Sequence, residues 1–368
     1  MFNRTYETMT SKERVKRTFN FNNNNFEKPD RVPINYFANP TIHAKFAKAL
    51  GVDDGNYEKV LDIIGVDFRG IGAGYKGPLL FKQIDGVNVD PVYGFYTRLI
   101  YNESGYYHDF CNFPLKDADD EIIANFPVPD PDDFDYSNID NMLDYYKDKA
   151  VFIGGAGNAD IINSTGRVMG MEEALVRLYN QDEATLIYLD RRLNMEMGVL
   201  ERIMQKAKGS VDFLWLGEDL GTQIAPMISL DLYRKVFRPR HQKFIDFAKS
   251  YNLPVMIHTC GSSSWAYNDF IEMGINAVDT LQPEAVNMNP KYLKENFGGK
   301  LCFHGCISTA GVLTEGNAND VENNVKETIG IFKDLKCYML SPTHMIQDNT
   351  PVENVIAMYE AAHKCGRY

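Results

Sequence analysis

The chain has 368 residues, 44% of them hydrophobic, which suits one large α/β domain or two ordinary ones and assures a substantial core. A net charge of −12 argues against a nucleic-acid or anionic-membrane surface and points to a small-molecule or protein partner. Its six cysteines are dispersed, no charged-then-apolar leader opens the sequence, and no apolar run approaches the ~20 residues of a membrane span, so a soluble cytoplasmic protein with reduced thiols is expected.

In chain order, Thr10 and Glu13 have capping-box spacing ahead of a basic helix, and Asn22 to Asn25 form a polar break, so residues 1–30 read as a peripheral lead-in. Arg31-Val-Pro-Ile-Asn-Tyr36 reads as a first strand, followed by helices over 41–50 and 57–64. Residues 75–113 alternate Gly, Tyr and apolar positions, which predicts a β-hairpin excursion. The stretch 117–136, with Pro127, Pro129 and Pro131 among many Asp residues, reads as an exposed connector. Most of the 21 Tyr and 22 Phe belong in a core, but Tyr93, Phe95, Tyr96 and Tyr101 of the excursion are candidates to line an apolar substrate cleft.

From residue 150 the pattern is regular. Short apolar runs near 151–154, 212–217, 254–258, 276–281, 301–305 and 336–341 alternate with amphipathic helices, the mark of a parallel sheet. Gly154-Gly-Ala-Gly157 is the only candidate phosphate turn and a weak one, so a (β/α)8 TIM barrel is preferred to an open doubly wound sheet.

A barrel places its working residues just after the strands, and five runs are followed by polar clusters. These are Gly217-Glu-Asp-Leu-Gly-Thr-Gln223, His258-Thr-Cys-Gly261, Gln282-Pro-Glu284, His304-Gly-Cys306 and Ser341-Pro-Thr-His344. His258 and Cys260 are two apart and share a strand face. They are either a metal pair or a buried imidazole and an inert thiol. With His344 they would make three zinc ligands and leave a fourth position open, as catalytic zinc requires. His344 also suits a substrate hydrogen bond. Glu218 and Asp219 are candidates for general base, further ligand or helix cap. His304 with Cys306 is a lesser metal pair, since Cys302, Cys306 and Cys337 suit a core. Gln223, Gln282, Glu284, His304 and Tyr96 are candidate substrate contacts. His43, His108, His241 and His363 fall on peripheral or helical segments and read as solvated or capping groups.

Several of these motifs together resemble the uroporphyrinogen decarboxylase superfamily, which includes cobalamin-dependent and coenzyme M methyltransferases. They are Thr10-Ser-Lys-Glu-Arg-Val15, Asp30-Arg-Val-Pro33, Pro127-Val-Pro-Asp-Pro131, Gly217 to Gln223, His258-Thr-Cys-Gly261, Phe303-His-Gly-Cys-Ile-Ser308, and Ser341-Pro-Thr-His-Met-Ile346 with Thr350-Pro-Val-Glu-Asn354. The resemblance spans nearly the whole chain as one barrel domain. It implies zinc on His258 and Cys260, with the distant cysteine of the methyltransferase branch replaced at His344. It also implies a methyl group moving between a small substrate or thiol and a corrinoid on a partner protein. The decarboxylase branch grips tetrapyrrole carboxylates with an arginine-rich signature, and the matching Asn35-Tyr-Phe-Ala-Asn-Pro40 has no arginine. A metal-free decarboxylase and a non-catalytic corrinoid- or tetrapyrrole-binding module are the alternatives; a homodimer would be ordinary.

Overall fold

A computed structural model describes residues 2–21, 27–52 and 56–368. The polar break at Asn22 to Asn25 lies outside them. Seven parallel strands form one sheet in sequence order: β1 (Phe68–Gly70), β2 (Ala150–Gly154), β3 (Phe213–Gly217), β4 (Val255–Thr259), β5 (Ala277–Thr280), β6 (Cys302–Ile307) and β7 (Tyr338–Pro342). The runs read from the sequence coincide with β2 to β7 to within a residue or two.

The first predicted strand closes the ring. Ile34 bridges Leu340 of β7 in parallel, with Leu340 N–H donating to Pro33 C=O and Asn35 N–H to Leu340 C=O, both at 2.8 Å. On its other side Asp67 N–H donates to Ile34 C=O at 3.0 Å. Segment 31–36 is thus an eighth stave, and the fold is a (β/α)8 TIM barrel. Pro33 interrupts the donor row, which explains why the stave pairs through single bridges.

A buried ion cluster locks this closure. Asp67 accepts from Arg31 Nη1 at 2.7 Å, from Arg14 Nη1 at 2.6 Å and from Ile34 N–H at 2.7 Å, and Arg14 also pairs with Asp30 at 2.6 Å. Burial works to raise the Asp67 carboxyl, but the two guanidinium groups hold it well below the usual carboxylate range.

Phe68, Ala150, Phe213, Trp215, Met256, Ala277, Cys302, Cys337 and Met339 fill the barrel with Val15 and Phe19 of helix Ser11–Phe19. That helix, with its Thr10–Glu13 capping box formed, is therefore a stopper for the barrel floor, not the peripheral lead-in expected from its basic surface. Inward-facing residues recur every second position. The layer above Met256, Ala277 and Cys302 is accordingly His258, Asp279 and His304.

Between β1 and β2 the chain makes its excursion, an antiparallel hairpin (Tyr96–Tyr101 with Tyr106–Cys111) edged by Asn88–Val89. Its base packs through Phe81, Leu115 and Phe126 on Val168 and Met169 of helix Ile162–Met169. At its tip, a side chain on Gly105 would strike Asp348 and Thr41, beside the loop that leaves β7. The hairpin thus runs along the rim of the barrel mouth. The acidic connector is tacked down by buried Ile123, Phe126 and Phe134. Among the described residues no helix is long and apolar enough to cross a membrane.

Candidate metal centre

Three ligand-type side chains meet at the C-terminal ends of β3 and β4. His258 Nε2 lies 3.4 Å from Cys260 Sγ and 3.6 Å from Asp219 Oδ1, and one ligand atom from each residue falls within 4.8 Å of the others. Around a tetrahedral zinc with bonds of about 2.0–2.3 Å, donor atoms sit roughly 3.3–3.7 Å apart. The donor types and the two spacings from His258 fit that ion, and three protein donors would leave one position for a substrate.

Each ligand is held from behind. The Cys260 N–H donates to Asp219 Oδ1 at 2.8 Å, and Asn163 Nδ2 donates to Asp219 Oδ2 at 2.8 Å. The turn after Cys260 needs its glycine: Gly261 has φ +70°, and a Cβ there would collide with the Gly221 carbonyl. Gly261 N–H donates to Gln282 Oε1 at 2.6 Å.

His258 Nδ1 contacts Asp279 Oδ2 at 2.6 Å, and His304 Nδ1 contacts the other oxygen, Oδ1, at 2.5 Å. His304 Nε2 in turn meets Asn35 Nδ2 at 3.2 Å. Asp279 therefore directs the His258 Nε2 face toward the metal position, as an outer carboxylate does for a metal-bound imidazole. Burial would raise the Asp279 carboxyl, but His304 and His258 together keep it low. Burial likewise opposes charge on His258, yet the bond to Asp279 and the nearby Cys260 raise it well above its ordinary value. The Cys260 thiol is pushed up chiefly by burial, an effect a bound cation would reverse.

Two of the three expected ligands, His258 and Cys260, converge, and the side chain that joins them is Asp219, not His344. His344 is exposed, its Nδ1 lying 3.2 Å from Gln347 Nε2, and it is outside the group formed by Asp219, His258 and Cys260. The chain turns outward after Thr343, whose carbonyl is tied to Thr280 Oγ1 at 2.6 Å. Glu218 points away from the mouth: fully buried, it accepts N–H bonds from Ile161 at 2.9 Å and Ile162 at 3.0 Å, and burial pushes its carboxyl up to about 8. It holds the entry to helix Ile162–Met169, so of the roles weighed for it the capping one fits. His241, read as peripheral, is buried behind it with Nε2 at 3.3 Å from Glu218 Oε2.

Of the candidate substrate contacts, Gln282 braces the Cys260 turn and Glu284 accepts from Ser308 Oγ at 2.7 Å at the rim. His304 belongs to the Asp279 relay. Gln223 is exposed. Tyr96 is buried in the excursion, its hydroxyl donating to the Lys82 carbonyl at 2.9 Å, so it lines no cleft. Cys306 stays in the core apart from the ligand group. Sequence reading passed over Asp279, Asn163 and Asn35. The signal for Asp279 was present, a lone charge two positions after Ala277 in an apolar strand.

A sequence model of the uroporphyrinogen decarboxylase (URO-D) family matches residues 169–365, more than half of the chain and including Asp219, His258, Cys260 and Asp279. The chain belongs to the URO-D family. Among solved structures, a methyltransferase from Methanosarcina mazei superposes with a TM-score of 0.63 over 97% of this chain and 99% of its own, at 16% sequence identity. At that identity the likeness is one of fold. Among curated proteins no sequence match is found. The URO-D assignment accounts for the barrel, and the His258–Cys260 motif sits where this fold places its chemistry.

Proposed function

We propose that this URO-D family member is a zinc-dependent methyltransferase that moves a methyl group between a small substrate or thiol and a corrinoid carried on a separate protein. The observation that carries the reading is the approach of Asp219, His258 and Cys260 to one point at the barrel mouth, with Asp279 orienting the imidazole. Membership of the family and a barrel shared with a protein named as a methyltransferase support it.

Zinc bound there would act as a Lewis acid, stabilising a substrate thiolate or alkoxide near neutral pH or a departing heteroatom. Cys260 would bind as thiolate, His258 through Nε2 and Asp219 through Oδ1. Burial opposes charge on Asp219, but the nearby His258, the Cys260 N–H and Asn163 keep its carboxylate ionised, the last two also aiming it, and Asp279 accepts a hydrogen bond from His258 Nδ1–H. The absence of arginine from residues 35–40 weighs against an octa-acid tetrapyrrole substrate.

The test is to purify the chain without a metal-binding tag, reconstitute it at neutral pH and measure zinc in the parent, His258→Ala and Cys260→Ser. One equivalent in the parent and little in the variants is expected, followed by thiol methylation when methylcobalamin is supplied. A parent that retains no zinc would overturn the reading. Turnover with CO2 release that persists under chelation would favour a metal-free decarboxylase, and tight corrinoid binding without turnover a binding module.

A further inference from the structure

Helix Ile162–Met169 carries Asn163, which holds Asp219, and Arg167 one turn later. Residues four apart share a helix face, so Arg167 stands on the side that serves the metal position. Its Cζ lies 5.7 Å from the ring centre of Phe95 and 5.3 Å from that of Phe110, and the two rings meet edge-on at 5.5 Å. Both rings come from the excursion along the rim. They stack on the half-buried guanidinium and offer it no acceptor, while the Phe110 ring stays 38% exposed.

Among the described residues, no carboxylate, hydroxyl or carbonyl of the protein takes a hydrogen bond from Arg167. The neighbouring Asp160 takes no hydrogen bond from it; burial raises that carboxyl well above its ordinary value, and its Oδ1 accepts the Asn163 N–H at 3.1 Å. The half-buried arginines elsewhere differ: Arg177, for example, pairs with Glu173 at 2.9 Å and Asp182 at 3.1 Å. A guanidinium held by stacking keeps its edge free for two parallel N–H···O bonds, the geometry suited to a planar carboxylate.

We propose that Arg167 binds a carboxylate on the small molecule whose reacting heteroatom meets Asp219, His258 and Cys260. This rests on the metal-centre reading above and adds the substrate's class, a short-chain acid bearing a sulfur, oxygen or nitrogen donor. Four residues of helix rise span about 6 Å, so only a few carbons separate the two ends. Phe95 and Phe110 hold the guanidinium plane by stacking, which leaves its N–H edge to pair with the carboxylate.

The experiment compares an acid with its neutral amide by titration calorimetry. 3-Mercaptopropionate and 3-mercaptopropanamide are titrated into the zinc-loaded parent, Arg167→Gln and Arg167→Lys. 3-(Methylthio)propionate and its amide are titrated into the chelated parent. The acid should bind the parent at least about tenfold more tightly than the amide, a preference lost in Arg167→Gln and partly kept in Arg167→Lys. Acid and amide that bind the parent alike, or that both fail to bind, overturn the proposal, as does an undiminished preference in Arg167→Gln. A chelated parent that still prefers the acid while holding no zinc after reconstitution would sink the metal reading and leave the carboxylate site standing. Stoichiometric zinc without acid preference would do the reverse.

Discussion

Asp279 sits between two histidines, its Oδ2 at 2.6 Å from His258 Nδ1 and its Oδ1 at 2.5 Å from His304 Nδ1, so one buried carboxylate fixes the orientation of both rings. Replacing it by Asn keeps the volume but removes one acceptor oxygen and the charge. Asp279→Asn is expected to weaken zinc binding about 10- to 100-fold, as removal of an outer-layer partner does elsewhere. Chelator competition at constant pH measures this. An unchanged affinity would mean that Asp279 does not serve the metal position.

The geometry separates two candidate ligands, bringing Asp219 to His258 and Cys260 and leaving His344 outside. Asp219→Ala should lose zinc to nearly the extent of Cys260→Ser, whereas His344→Ala, altering an exposed side chain outside the ligand group, should keep parental stoichiometry. Elemental analysis of the purified variants decides it.

Asp67 is the shared anion of Arg14 and Arg31 inside the barrel closure. Asp67→Asn leaves two buried guanidinium groups short of a counter-charge and should cost about 3–5 kcal/mol in urea or guanidinium unfolding. Its folded pKa is lowered, so its stabilisation is present above the unfolded value near 4 and drains away as pH falls toward the folded one. The variant's stability should accordingly respond less to acid than the parent's.

His363 works in a higher pH window. Its Nε2 faces the Ile64 carbonyl at 2.8 Å and its Nδ1 meets the Tyr6 hydroxyl at 3.0 Å, and burial pushes it down from 6.5 to about 4. Below pH 6.5 the unfolded chain takes up a proton that the folded one refuses. Stability should therefore decline as pH falls from 6.5 to about 4, by up to roughly 3 kcal/mol from this residue. His363→Gln should flatten that part of the curve in denaturant titrations at several pH values.

Much of the barrel was legible because β2 to β7 are mostly apolar runs bounded by glycine, proline or charge, and the site motifs fall at the run ends. His258 and Cys260 were readable as a pair because their relation is local, two positions along one strand. The third donor was not, since choosing Asp219 over His344 depends on how far two loops rise from the rim, which strand periodicity does not encode. The same limit hid the role of the Arg14 and Asp30-Arg31 motifs: both serve Asp67, which is distant in sequence. The N-terminal helix was misjudged because its basic residues dominate its composition, while Val15 and Phe19, the side chains that enter the barrel, are few.

Because segment 31–36 hydrogen-bonds to β7 on one side and to Asp67 on the other, the cylinder is joined by a seam between an early and a late part of the chain. During synthesis that early stave has no partner at its outer edge until Leu340 has emerged. Such a long-range contact makes closure a late and slow event, with the edge open to intermolecular pairing meanwhile. The Arg31–Asp67 ion pair joins the same stave to a residue only 36 positions away, a partner made far sooner than β7.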